Sequence, residues 1–122
     1  MVIHGKERGL LLTVGASVEI SKLCPGGDMK LLGEVLSSSG NYQTNVDAIA
    51  RIVIEMNKGY ECSRKFEEPG YEPDVITEEE LYSLPPRIFK QLQDEAVTAF
   101  RSGTAATVEV EPSKKNEDVA PL

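Results

Sequence analysis

The densest run of apolar side chains lies between residues 44 and 66. They recur there at three- and four-residue spacing, which places them on one face of an α-helix: Val46, Ile49, Ile52, Val53, Met56 and Tyr60. Neighbouring positions widen this face and leave a narrow charged seam of Asp47, Arg51, Glu55 and Lys58. The pattern predicts a central helix that is capped by Thr44 and nearly surrounded by protein. Gly59 indicates a stop or a kink, with helical structure continuing to Phe66.

The N-terminal residues predict a β-hairpin. Residues 2–4 and 10–12 form its strands and flank a polar stretch that begins with Gly5 and ends with Gly9. Gly5 would supply the positive φ that a tight turn requires. An isolated two-stranded hairpin is marginally stable in water, so this one should pack on the helices or pair with another strand.

Two shorter helices are predicted before the central one. Thr13 caps a helix that runs to about residue 23, with the apolar set Val14, Ala16, Val18, Ile20 and Leu23. Asp28 is a good N-cap for a second helix over residues 29–36. The Pro-Gly-Gly sequence at residues 25–27 invites comparison with a phosphate-binding loop. No Lys-Ser or Lys-Thr follows it, and turn chemistry explains it better.

Two more helices are predicted after the central one. Thr77 and Glu80 have the spacing of a capping box at the start of a short helical turn. Pro86 suits the first turn of the last helix, residues 86–102, and Gly103 is its natural C-terminal stop. The apolar side of this helix consists of Ile88, Phe89, Leu92, Ala96, Ala99 and Phe100.

The loop between these helices and the central one, residues 67–74, is acidic and contains two prolines and one glycine. Such a composition excludes regular structure. The loop is either ordered by packing or free to bind a partner, and the apolar character of Tyr71 and of residues 75 and 76 favours packing on the core.

Together these elements predict a mainly α fold (α+β), in which a small N-terminal β-hairpin packs on a bundle of about four to five helices. One globular domain should span residues 1–103, because 122 residues provide room for a single core. Residues 104–122 become rich in Pro, Lys, Asn, Glu and Asp, which predicts a flexible, acidic and polar tail.

The net charge of −7 argues against non-specific binding to nucleic acid or to anionic membranes, since both need clustered Lys and Arg. The longest apolar runs fall far short of the roughly 20 residues of a membrane span. The N-terminal residues also lack the pattern of a secretory signal. We therefore expect a cytoplasmic protein that binds other proteins, and neither nucleic acid nor membrane.

Residues suited to catalysis or metal binding are sparse. Cys24 and Cys62 lie 38 positions apart without CxxC spacing, and His4 is the only histidine, so neither a zinc cluster nor a disulfide framework is predicted. The three adjacent carboxylates at residues 78–80 point about 100° apart on a helix and cannot converge on one ion. No nucleophile motif or phosphate loop is present. We expect no enzyme activity, no catalytic residue, no metal and no cofactor.

Five phrases resemble the tail assembly chaperones of tailed phages and prophages of Gram-positive bacteria. They are IHGKE at residues 3–7, LTVGASVEI at 12–20, LCPGGD at 23–28, NKGYE at 57–61 and FEEPGYEP at 66–73. The resemblance implies a non-enzymatic protein of phage tail assembly. Its partners would be the tape measure protein, whose apolar-faced helices it would keep soluble, and the tail tube protein, whose subunits it would help to recruit.

With this resemblance, aromatic side chains beside the acidic loop become candidate partner-binding residues: Tyr71, Tyr82 and Phe89. The alternative that all three belong to the core is equally open. A different class of function also fits the charge, namely a small acidic regulatory or inhibitor protein, either a DNA mimic or an antitoxin-like partner. The carboxylates concentrate in caps and loops between residues 67 and 80, whereas a DNA mimic usually spreads them over a long face.

Overall fold

The computed structural model describes residues 1–28 and 42–104. These residues form one two-stranded antiparallel sheet and four α-helices. Strand β1 is Val2–Ile3 and β2 is Lys6–Glu7; the helices are α1 Val14–Ser21, α2 Tyr42–Glu67, α3 Glu78–Tyr82 and α4 Pro86–Thr104, and a 3₁₀ turn spans Pro25–Gly27. The predicted mainly helical fold with a small N-terminal hairpin is confirmed. The helix predicted for residues 29–36 and the tail from residue 105 lie outside the described residues.

The hairpin has a shorter turn than predicted. Val2 pairs with Glu7 and Ile3 with Lys6, so the second strand directly follows a two-residue turn and does not lie at residues 10–12. His4 and Gly5 have φ angles of 50° and 81°, and two positive φ values are typical of a type I′ turn, whose twist matches that of the strands. The positive φ predicted for Gly5 is therefore confirmed.

Helix α2 is the centre of the molecule, and α1, α3 and α4 all pack against it. Most of its predicted apolar face is buried, with Ile52, Val53 and Met56 fully inaccessible to solvent, whereas Val46 and Tyr60 are half-buried. The helix begins at Tyr42, which places Thr44 inside its first turn and makes the predicted cap wrong. Residues 42 and 43 include neither proline nor glycine, so nothing prevents the helix from extending back to them.

Gly59 neither stops nor kinks α2, which continues to Glu67. A Cβ atom on Gly59 would lie 2.7 Å from the carbonyl oxygen of Leu11, closer than any real contact allows. The residues after the hairpin therefore cross α2 at this glycine. The backbone N–H of Leu11 donates to the carbonyl oxygen of Met56 at 3.0 Å and fixes the crossing.

Helix α1 begins as predicted, because the Thr13 hydroxyl accepts from the N–H of Ala16 at 3.1 Å. Its apolar set, however, does not form one face. Ala16 and Ile20 are buried against α2, whereas Val14 and Val18 are 83% and 52% exposed. The helix ends at Ser21, two residues before the predicted end.

The capping box at the start of α3 is confirmed. The Thr77 hydroxyl accepts from the N–H of Glu80 at 3.1 Å, and a Glu80 carboxylate oxygen accepts from the N–H of Thr77 at 3.3 Å. Helix α4 starts at Pro86 as predicted but continues through Gly103 to Thr104. At Gly103, one residue before the end of α4, the side chain of Leu12 approaches to 2.7 Å of the Cβ position. This glycine therefore permits close packing near the end of the helix.

Candidate partner-binding surface

A groove of about 530 Å³ lies where α2, α3 and α4 meet. We call it the aromatic groove, because two of the predicted binding residues, Tyr82 and Phe89, line it together. Its other lining residues are Val46, Asp47, Glu78, Leu81, Leu84 and Pro86.

Local sequence signals place the two aromatic residues on adjacent elements. The Thr77 cap fixes the start of α3, which ends after one turn at Tyr82. The carbonyl oxygen of Pro85 then accepts from the N–H groups of Ile88 and Phe89 at 2.9 and 3.1 Å, which starts α4. The short connection between the two helices leaves the rings of Tyr82 and Phe89 on one groove.

The rim of the groove is acidic, and its floor is apolar. Tyr82 is 48% exposed, and its hydroxyl donates to the carboxylate of Asp47. This hydrogen bond, together with partial burial and the negative charges of Asp47 and Glu78, raises the pKa of Tyr82 to about 12. The phenol therefore stays neutral and attached to α2. The groove can accept an apolar side chain whose neighbours are basic.

Tyr71 lies outside this groove, in a separate polar cluster. Its hydroxyl donates to a carboxylate oxygen of Glu61, and its ring lies 4.3 Å from the guanidinium carbon of Arg64. The hydrogen bond to Glu61 is the main cause of the raised pKa of Tyr71. The structure thus brings together two of the three predicted binding residues and places the third elsewhere.

The centre of that cluster is a pair of buried polar residues on α2, Asn57 and Glu61, neither of which is exposed to solvent. The Asn57 amide donates to the carbonyl oxygen of Gly9 at 3.0 Å and accepts from the N–H of Ile76 at 2.7 Å. Glu61 accepts from the N–H of Asp74 at 2.9 Å. Both residues therefore satisfy backbone groups of chain segments that have no regular structure.

Two basic residues of the hairpin complete the cluster. Lys6 donates to the carboxylate of Asp74 at 2.9 Å, and this contact lowers the pKa of Asp74. Arg8, only 4% exposed, donates to the backbone carbonyl of Asp74 and to the carboxylate of Glu80. Partial burial opposes ionisation of Glu80, but hydrogen bonds from Thr77 and Arg8 outweigh burial, so the pKa of Glu80 is lowered.

These contacts show that the loop after α2 is ordered by packing. We call Lys6, Arg8, Asn57, Glu61, Tyr71 and Asp74 the polar cluster. Sequence reasoning missed Asn57 and Glu61 because it counted only apolar residues on the buried face. The signal was present in the spacing, since Val53, Asn57 and Glu61 follow one another at four-residue intervals.

Within residues 1–28 and 42–104, no group of three or more His, Cys, Asp or Glu side chains is arranged to hold a metal ion. Cys24 is buried and Cys62 exposed, both as free thiols, and burial is the main cause of the raised pKa of Cys24. None of the four described helices combines the length and apolar character needed to cross a membrane.

No protein-family model matches the chain, and neither a curated protein nor a solved structure is detectably similar to it.

Proposed function

We propose that the protein is a non-enzymatic phage tail assembly chaperone, which binds the tape measure protein and assists assembly of the tail tube. The proposal starts from the resemblance of five sequence phrases to that family. The main observation that supports it is the aromatic groove, an apolar depression with an acidic rim on a small helical protein.

The chemistry of the groove suits one face of an amphipathic helix. Leu84 and Phe89, which are only partly buried, supply apolar contact over a floor that includes the buried Leu81. A helix that binds in a groove inserts apolar side chains at three- and four-residue spacing. Asp47 and Glu78 on the rim favour basic residues beside the inserted side chains. A chaperone of long apolar-faced helices requires this combination, because it must cover apolar surface without aggregating itself.

Co-expression with the tape measure protein of the same phage or prophage genome tests the proposal. The wild-type protein should raise the soluble fraction of the tape measure protein and co-purify with it. Phe89→Ala should abolish both effects. Val2→Ala is the matched control, since Val2 is 63% exposed on the hairpin and does not line the groove. Equal solubility with and without the wild-type protein would contradict the proposal.

Tyr71 remains a predicted contact on a second surface. Tyr71→Phe removes the hydroxyl that Glu61 binds while keeping the ring, so it separates a packing role from partner binding. A variant that folds normally but no longer retains the tail tube protein in a pull-down would assign tube recruitment to this side. Unchanged retention of both partners would exclude the Tyr71 hydroxyl from the binding surface.

A further inference from the structure

A second apolar surface lies on α1 and the C-terminal half of α2, whereas the aromatic groove uses the N-terminal part of α2. Phe66, near the end of α2, is 88% exposed, the highest value among the large apolar side chains of the described residues. Val14 and Val18 on α1 are also exposed. Isolated apolar residues on a surface are ordinary, but Phe66 belongs to a defined depression.

This depression, the α1–α2 groove, has a volume of about 560 Å³. It is lined by Gly15, Ala16 and Glu19 of α1 and by Glu55, Cys62 and Phe66 of α2, among others. Gly15 contributes no side chain, so the α1 wall is low. The volume exceeds that of one benzyl group, and the protruding ring of Phe66 stands at the edge of the groove.

A protruding ring beside a cavity on one face is self-complementary. In a two-fold symmetric dimer each copy presents the same patch, so each can donate one ring and accept one. The α2 residues of the groove run from Glu55 to Phe66. A two-fold axis through their middle sets the two α2 helices antiparallel and places the Phe66 end of one copy beside Glu55 of the other.

The charges of this face also suit a second copy. On α1, Glu19 is already paired with Lys22 at 3.0 Å. On α2, neither Glu55 nor Lys65 forms an ion pair with any residue that the structure describes. The antiparallel arrangement brings Lys65 of one copy to Glu55 of the other, so the contact adds attraction in a protein whose net charge is −7.

The exposed ridge of α1, formed by Val14, Ser17, Val18 and Ser21, has few polar groups that still need a hydrogen bond from water. The hydroxyls of Ser17 and Ser21 each donate to a carbonyl oxygen of the same helix, from Val14 and Val18, at 2.7 Å. Covering this ridge therefore leaves few polar groups without partners. We propose that a second copy of this chain binds here, with Phe66 of each copy inserted into the α1–α2 groove of the other.

Sedimentation velocity of the full chain across a range of concentrations tests the proposal. The wild-type protein should dimerise reversibly. Phe66→Ser should weaken association by at least about tenfold, as loss of a central aromatic anchor does. Val2→Ser, an exposed apolar residue on the hairpin, should leave association unchanged. A wild-type protein that is monomeric at every concentration would overturn the proposal, and so would a dimer that Phe66→Ser does not weaken.

Charge reversal tests the arrangement of the two copies. Lys65→Glu and Glu55→Lys should each weaken the dimer, and the double variant should restore it, because the pair joins two copies. Cys62 lies in the same groove and is exposed, so a short bismaleimide should join the two copies through it, whereas Cys62→Ala should abolish the cross-link. No tape measure protein is present in these experiments, so they are independent of the proposed function. Failure of the double variant to recover would reject the antiparallel arrangement.

Discussion

Arg8 donates through one guanidinium nitrogen to both carboxylate oxygens of Glu80, at 3.1 and 3.2 Å, although the two residues lie 72 positions apart. The pair joins the end of the hairpin to the cap of α3. Arg8 is 4% exposed, and a second donation to the backbone carbonyl of Asp74 holds it in place. The N-terminal hairpin is thereby attached to the half of the chain that forms the aromatic groove.

Replacing Arg8 should therefore destabilise the fold more than replacing a surface cation. Arg8→Ala removes the charged donor of the partly buried Glu80 carboxylate, which keeps its bonds to Thr77, and leaves the Asp74 carbonyl without its Arg8 donor. The loss should cost about 2–4 kcal/mol in the free energy of unfolding. Lys22→Ala, which breaks the exposed pair with Glu19, should cost little. Urea denaturation measures both. Equal losses would show that the Arg8 contacts are as weak as a surface pair.

The loss of stability at acidic pH should depend on Asp74 and Glu80. Their pKa values are lowered from ordinary values of 3.8 and 4.5. A lowered carboxyl pKa gives stability that is fully present above the unfolded pKa and is lost as the pH falls through the folded pKa. The free energy of unfolding should therefore begin to fall below a pH of about 4.5.

Denaturation at a series of pH values checks this dependence. Asp74→Asn and Glu80→Gln should each lower the free energy of unfolding at pH 7. Each should also make that free energy fall less steeply as the pH becomes acidic. Glu72→Gln, which changes an exposed carboxylate in the same loop, is the control variant. A pH dependence that is unchanged in both Asp74→Asn and Glu80→Gln would place the titrating groups elsewhere.

Asn57 should tolerate no apolar substitution. Asn57→Ala leaves the carbonyl of Gly9 and the N–H of Ile76 without their partners inside the protein. Two unsatisfied backbone groups should cost about 2–4 kcal/mol in the free energy of unfolding. Lys58→Ala changes the adjacent exposed position and serves as the control. A loss from Asn57→Ala no larger than that from Lys58→Ala would show that water replaces the amide.

Two glycines within helices should respond oppositely to alanine. Gly15→Ala has open space, since the nearest atom lies 4.0 Å away, and should stabilise by up to about 1 kcal/mol through helix propensity. Gly59→Ala gains the same propensity but brings its methyl group to 2.7 Å of a backbone oxygen. Overpacking costs of about 1–3 kcal/mol should outweigh that gain. Thermal unfolding of both variants measures these changes. A Gly59→Ala variant more stable than the wild type would contradict the close crossing of Leu11 over α2.

The sequence predicts those parts of the structure that depend on near neighbours. The caps at Thr13 and Thr77 each join residues three positions apart, and both form as expected. The positive φ of Gly5 is also as predicted, although the turn is shorter than the predicted one. The buried face of α2 is likewise predictable, because a helix that buries Ile52 and Val53 must also bury Met56.

Features set by distant contacts are not predictable in this way. The hydrogen-bond partners of Asn57 lie 48 and 19 positions away, so its spacing from Val53 indicates a buried position, but no local pattern identifies the backbone groups that it binds. Gly59 and Gly103 have the sequence signature of helix ends but are required by the approach of Leu11 and Leu12. For the same reason sequence alone groups Tyr71 with Tyr82 and Phe89, although its hydroxyl binds Glu61 in a different part of the molecule.

The most direct test of the account is a titration of the ¹⁵N-labelled protein with a peptide from an amphipathic helix of the tape measure protein. Amide resonances of α3 and of the start of α4 should shift, above all those of Leu81, Tyr82 and Phe89, and Phe89→Ala should weaken binding by at least about tenfold. Tyr82→Phe, which keeps the ring, should bind nearly as well. Shifts confined to other surfaces, or binding that Phe89→Ala leaves unchanged, would contradict the assignment of the aromatic groove as the chaperone surface.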